Sequence, residues 1–156
     1  ISGEKNETAF YFSRREGFAY SFSKVAHKRK ALDFLCEKEQ IKPYEIAYFF
    51  DDVLDIPIAE VCGLRMQVNQ GINPLFIEYC VKHQLVDYLS AAAGGSFAVR
   101  EMTELLIGIY GNYNEVIAGR TGNSELYQKY ISERKMVQPG FFTLKEEGIV
   151  KADDQI

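Results

Sequence analysis

No stretch of this chain is long and apolar enough to cross a membrane, and no secretory signal pattern appears in it. A cytoplasmic protein without a membrane partner is the expectation. No basic stripe is present, and the net charge of −4 argues against a nucleic-acid partner. Cysteine is scarce and odd in number: Cys36, Cys62 and Cys80 lie far apart, each within an apolar or helical pattern. Small buried thiols are expected, not a disulfide framework or a metal knuckle. Repeats and low-complexity runs are absent, which excludes solenoids and linkers. Methionine does not open the chain, and Ile1-Ser2-Gly3 reads as the tail of a strand and its turn. The expectation is a protein with an earlier segment. What is present suffices for one domain with a core: 156 residues, 47% of them hydrophobic and 26% charged.

The rest of the chain is organised around Glu45-Ile46-Ala47-Tyr48-Phe49-Phe50-Asp51-Asp52-Val53-Leu54-Asp55-Ile56-Pro57. An apolar run of strand length ends in three aspartates, and a proline then opens a short helix. Carboxylates at the carboxyl end of a buried strand stand where open α/β sheets place their ligands. Like charges crowded there are tolerable when a cation neutralises them. A solvated turn with Asp as a helix cap explains the same residues.

In chain order, residues 4–15 read as a helix, with Asn6 or Glu7 at its start and Glu16-Gly17 at its stop. Ser2-Gly3 before it offers either an anion-binding turn or an ordinary cap. Residues 18–22 read as an aromatic strand. The one basic cluster, Ser23 to Lys30, leads into a helix with Ala31, Leu32, Leu35 and Cys36 on one face. His27 reads as exposed or as a capping group. After the aspartates come a helix at 58–62, a strand at 64–68, and the turn Asn69-Gln70-Gly71-Ile72-Asn73-Pro74. A helix at 75–84, a strand at 85–89, a Gly94-Gly95 loop and an amphipathic helix at 96–110 follow. Alternating strands and helices imply a mostly parallel sheet covered on both faces. Right-handed crossovers then gather the strand carboxyl ends at one edge. Past residue 110, two helices (115–118 and 125–134) and an aromatic tail with Phe141, Phe142 and Leu144 are expected. The division is 1–110 as core and 111–156 as a helical extension and tail.

Three stretches resemble one family. They are Ile46 to Pro57, then Gly63-Leu64, then Gly94-Gly95-Ser96-Phe97-Ala98-Val99-Arg100-Glu101. Together they are similar to the haloacid dehalogenase (HAD) superfamily, in its small cap-less 3-deoxy-D-manno-octulosonate 8-phosphate phosphatase branch, over residues 1 to about 108. The resemblance implies a Rossmann-like α/β core. It implies that Ser2 and Gly3 form the hydroxyl motif that holds phosphate. Lys28, which lies 23 residues before Asp51, matches the family's phosphate-binding lysine. Asp51 matches its Mg²⁺ ligand, and Asp55 the carboxylate that supports the site. Members are commonly tetramers, so a homo-oligomer is implied.

The family's first motif, a strand ending Asp-x-Asp with nucleophile and general acid, has no match in these residues; the expectation is that it precedes residue 1. Phe50 stands where the branch usually has Gly and is expected to crowd Asp51. Glu4 and Ser96 stand where Arg is common. The function implied for the full-length protein is Mg²⁺-dependent hydrolysis of a small sugar or sugar-acid phosphate through an aspartyl-phosphate. Two other readings stand beside it: a HAD-like binding or scaffold protein with little or no catalysis, and the phosphatase-like part of a larger protein, for example one fused to a nucleotidyltransferase.

Overall fold

The structure is a computed structural model that describes residues 1–152. The last residues of the polar tail, 153–156, lie outside the described residues. The chain divides into two units: residues 1–34 with 114–156, and residues 35–113.

The second unit is built on three parallel strands in sequence order: β2 (Ala47–Phe50), β3 (Leu64–Asn69) and β4 (Tyr88–Ala93). Side chains alternate across a strand, and that alternation sorts two cores. Tyr48 and Phe50 of β2 face one side, where they meet Ala59 of α3 (Ile56–Ala59), Phe76 and Cys80 of α4 (Pro74–Lys82), and Leu85. Phe49, Leu64, Met66 and Val68 face the other side, against Ala98 and Met102 of α5 (Ala98–Ile109). The helices therefore cover both faces, as the alternating order implied. Cys62 and Cys80 are buried and Cys36 half-buried, none in a disulfide, and burial pushes the Cys80 thiol up.

One expected boundary moves. The strand placed at 85–89 runs at Tyr88–Ala93. Leu85 instead closes α4, its N–H donating to the Cys80 carbonyl at 2.8 Å behind Gln84 at φ 55°. The Arg65 guanidinium then pins the start of β4, bonding both Asp87 oxygens at 2.5 and 2.8 Å.

The carboxyl end of β4 carries an irregularity. Gln67 pairs with Leu89 but Asn69 pairs with Ala93, so β4 spends two more residues than β3 over this step. The displaced groups find partners. Buried Ser90 Oγ accepts the Asn69 N–H at 2.9 Å and donates to the Ala92 carbonyl at 2.7 Å. Half-buried Glu101 of α5 accepts the Ala91 and Ala92 N–H groups at 2.8 and 2.7 Å and the Tyr88 hydroxyl at 2.7 Å. These bonds, the hydroxyl first, hold the Glu101 carboxyl below the usual range.

The first unit holds β1 (Tyr20–Ser23), β5 (Gly140–Lys145) and β6 (Gly148–Lys151). β5 lies parallel to β1 and antiparallel to β6. The aromatic tail is thus a hairpin that extends the β1 sheet, and the segment that begins at residue 114 joins residues 1–34 through that ladder. Phe141 packs on Phe10 of α1 (Glu7–Glu16) with ring centroids 4.0 Å apart. Phe142, on the opposite face, meets Phe22 and Phe34, the latter on α2 (Lys28–Glu39). The helices expected in the extension are α6 (Tyr113–Thr121) and α7 (Glu125–Met136). Arg134 of α7 bonds both the carboxylate and the carbonyl of Glu16, at the end of α1. Gly17 caps that end at φ 67°. Residues 1–3 are not a strand, contrary to expectation; the Ser2 N–H donates to the Phe22 carbonyl at 2.8 Å and the Ser2 carbonyl accepts the Val25 N–H at 3.0 Å.

Two outcomes are expected. Phe141 is buried, so Phe141→Ala should cost about 3–5 kcal/mol in urea denaturation. Glu101 has a lowered folded pKa, so its contribution is complete above the ordinary value of 4.5 and is lost as pH falls through the folded value. Glu101→Gln should therefore lower Tm at pH 7 by more than Glu104→Gln, which breaks only a surface pair with Arg100. The gap between Glu101→Gln and wild type should narrow as pH drops below about 4.5.

Candidate functional site

The acidic turn of the second unit begins where β2 ends. Alternation turns the Phe50 ring into the core, with 3% of its surface exposed, and leaves Asp51 facing solvent. The crowding expected from Phe50 does not occur: its ring stacks near that of Tyr48, at 6.0 Å and an interplanar angle of 3°.

After Phe50 the chain bends through Asp51-Asp52 into a single 3₁₀ turn, Val53–Asp55, and then α3. The three aspartates are not equivalent. Asp51 and Asp52 are exposed, while Asp55 is buried. Asp55 Oδ2 accepts the N–H groups of Asp52 and Asp51 at 3.2 and 3.5 Å. Its Oδ1 accepts the Tyr48 hydroxyl at 2.5 Å. Burial first, and then this bond, push the Tyr48 hydroxyl far above its ordinary pKa, so Tyr48 remains a donor. The helix-cap reading thus describes Asp52, the N-cap of the 3₁₀ turn, together with Asp55, which completes its capping box by reaching back to the Asp52 N–H. It does not describe Asp51, whose carboxylate stays at the surface.

The Asp51 carboxylate has one bond that the sequence reading missed. Gln70, just past the end of β3, donates from Nε2 to Asp51 Oδ2 at 2.5 Å. In the sequence Gln70 was only a turn residue. The available signal was its position, because the turn after β3 opens on the same sheet edge as the turn after β2.

The remaining expected residues, Ser2, Gly3 and Lys28, belong to the first unit and are described there. The Ser2 hydroxyl donates to the Glu4 carbonyl at 2.9 Å. α1 starts at Glu7, and Asn6 Oδ1 accepts the Ala9 N–H at 2.8 Å. Ser2-Gly3 therefore lies ahead of the helix N-terminus and not at it. Lys28, half-buried, is the first residue of α2. Lys24 is exposed with φ 58°, and Arg29 pairs with Asp33 at 2.8 Å.

Mg²⁺ takes oxygen ligands, commonly one or two carboxylates with waters. Exposed Asp51 fits as one such ligand. Among the described residues no group of three His, Cys, Asp or Glu is placed to hold a metal ion, so Asp51 would be one contributor to a larger set.

The buried link should be measurable. Tyr48→Phe leaves Asp55 with one bond fewer in a buried place, and a loss of about 1–3 kcal/mol is expected in chemical denaturation. Asp51→Asn, on an exposed side chain, should change stability by less than about 0.5 kcal/mol.

No family model matches the chain. It is 34% identical over 99 residues to the 3-deoxy-D-manno-octulosonate 8-phosphate phosphatase KdsC of Escherichia coli K12, covering 64% of this chain and 49% of that protein. The chain thus spans about half the length of the curated relatives it matches. The phosphatase of the same name from Moraxella catarrhalis was solved with magnesium, phosphate and KDO. It superposes with a TM-score of 0.65 at 25% identity, over 76% of this chain and 64% of that one. The cobalt-bound Haemophilus influenzae phosphatase shares the fold, with a TM-score of 0.61 at 22% identity over 71% of this chain and 61% of that one. Over the stretch these relatives share, the chain is similar to the 3-deoxy-D-manno-octulosonate 8-phosphate phosphatases and has the fold of the haloacid dehalogenase superfamily.

Proposed function

We propose that the full-length protein is a Mg²⁺-dependent phosphomonoesterase acting on a small sugar or sugar-acid phosphate. The observation that carries this is the Asp51–Asp55 turn. One buried carboxylate fixes the backbone, and the other, Asp51, is presented to solvent at the carboxyl end of a parallel strand. The relatives' names and the magnesium and phosphate bound in the Moraxella catarrhalis structure support the same reading.

In this reading Asp51 is a metal ligand and Asp55 holds it in place. Lys28, the Ser2 hydroxyl and the Gly3 N–H bind the phosphoryl oxygens. Bound Mg²⁺ would neutralise charge on the transferring group. Ser2 must release the Glu4 carbonyl and turn its proton toward the phosphate. Lys28 supplies a fixed positive charge from the head of α2. No Asp-x-Asp occurs in the 156 residues. The nucleophile and general acid of an aspartyl-phosphate route would come from chain outside them. Residues 1–110 then carry the family core, with 111–156 an addition to it. Assembly as a homo-oligomer in the cytoplasm belongs to the same proposal.

A HAD-like binding protein without catalysis is the second reading. Glu4 and exposed Ser96 favour it, since each replaces a positive charge common in the branch. Catalysis separates the two. With Mg²⁺, the full-length protein should hydrolyse an aryl phosphate, and Asp51→Asn should lower kcat/KM by about 100-fold or more, the scale of losing a charge-stabilising group. Retained activity in Asp51→Asn would refute the metal assignment. An inactive wild type that still binds sugar phosphates would establish the second reading.

A further inference from the structure

The carboxyl ends of β2, β3 and β4 are joined by one side chain, Gln70, which is half-buried. Its Nε2 donates to Asp51 Oδ2 at 2.5 Å, which ties the end of β3 to the end of β2. Its amide also lies over Gly94, just past the end of β4: a Cβ built on Gly94 would stand 2.6 Å from Gln70 Oε1 and 2.9 Å from Nε2. Both backbones are anchored. The Gly94 N–H donates to the Asn69 carbonyl at 2.8 Å, the Asn69 N–H donates to Ser90 Oγ at 2.9 Å, and Asn69 Oδ1 accepts the Gly71 N–H at 2.8 Å.

From this geometry we infer that Gln70 is a positioning residue for the Asp51 carboxylate, and that Gly94 is glycine to leave room for it. The inference rests on the reading of Asp51 as a metal ligand. The amide is neutral and donates to one oxygen of Asp51. It restrains the carboxylate through that oxygen and leaves the other to a cation. Outer-shell donors of this kind orient ligands, and their loss commonly weakens metal affinity ten- to a hundred-fold. A carboxylate at position 70 would repel Asp51 and could not donate. An alanine at 94 would displace the amide without straining the backbone, because Gly94 is not in the left-handed region and the Cβ meets only the far end of a flexible side chain.

The test uses the full-length protein with Mn²⁺ as the probe, its affinity read by electron paramagnetic resonance. Gln70→Ala is expected to weaken binding about tenfold or more. Gly94→Ala should do the same, and the double variant should bind no more weakly than Gln70→Ala alone, because both changes remove one interaction. Additive losses would overturn the link to Gly94. A second readout needs no metal: the Gln70 side-chain amide resonance should shift in Asp51→Ala and in Gly94→Ala. An unmoved resonance in Asp51→Ala would overturn the hydrogen bond itself. If Asp51→Ala loses Mn²⁺ while Gln70→Ala binds like wild type, the positioning role is wrong and the metal reading stands. If wild type fails to bind Mn²⁺, or Asp51→Ala binds it equally well, the metal reading falls.

Discussion

The buried Asp55 carboxylate determines what the acidic turn can do. It is a charged group in an apolar unit, and such a group persists only when its oxygens are bonded. Tyr48 satisfies one oxygen from within β2, and the N–H groups of Asp51 and Asp52 meet the other. The same bonds decide the path of the chain. They hold the two residues after β2 in the bend that feeds the 3₁₀ turn and α3, and so they set the direction in which Asp51 leaves the sheet. Three aspartates within five residues would repel if all were exposed alike. The N–H bonds stabilise the buried Asp55 carboxylate, while solvent screens Asp51 and Asp52.

A comparable economy governs the other strand ends of this unit. The irregularity in β4 removes two N–H groups from the ladder, and Glu101 of α5 accepts both. The Gly-Gly-x-x-Ala-Val-Arg-Glu stretch thus has a physical account. Its glutamate fastens the end of β4, and its first glycine leaves space for the Gln70 amide. These bonds place the turns after β2, β3 and β4 side by side, which is where an open parallel sheet offers a ligand site. In the other unit, opposite faces of β5 send Phe141 to α1 and Phe142 to α2, so the aromatic segment expected as a tail is part of a sheet.

Much of this was legible from the residues. A continuous apolar run marked β2, apolar Met66 and Val68 marked β3, and Gly17 marked the end of α1. The wide apolar stripe of α5 was plain, with Met102 fully buried. The beginning of β4 was misplaced because Leu85-Val86 has strand composition, while its backbone is needed to close α4 and the Arg65–Asp87 pair sets where pairing starts. The tail hairpin was missed because its partner, β1, lies more than a hundred residues earlier, and no local pattern reports a pairing at that distance.

The residues alone were enough for the family likeness, the α/β alternation and the acidic turn at the end of an apolar strand. These depend on residue type and short spacing, and local rules read both. Tertiary structure alone decided that Phe50 lies in the core and does not crowd Asp51, that Asp55 is the buried member of the three, and that Gln70 reaches Asp51. Each of those is a contact between residues on different strands or turns, or a choice of sheet face. Contacts of that kind exist only after the strands have paired in register.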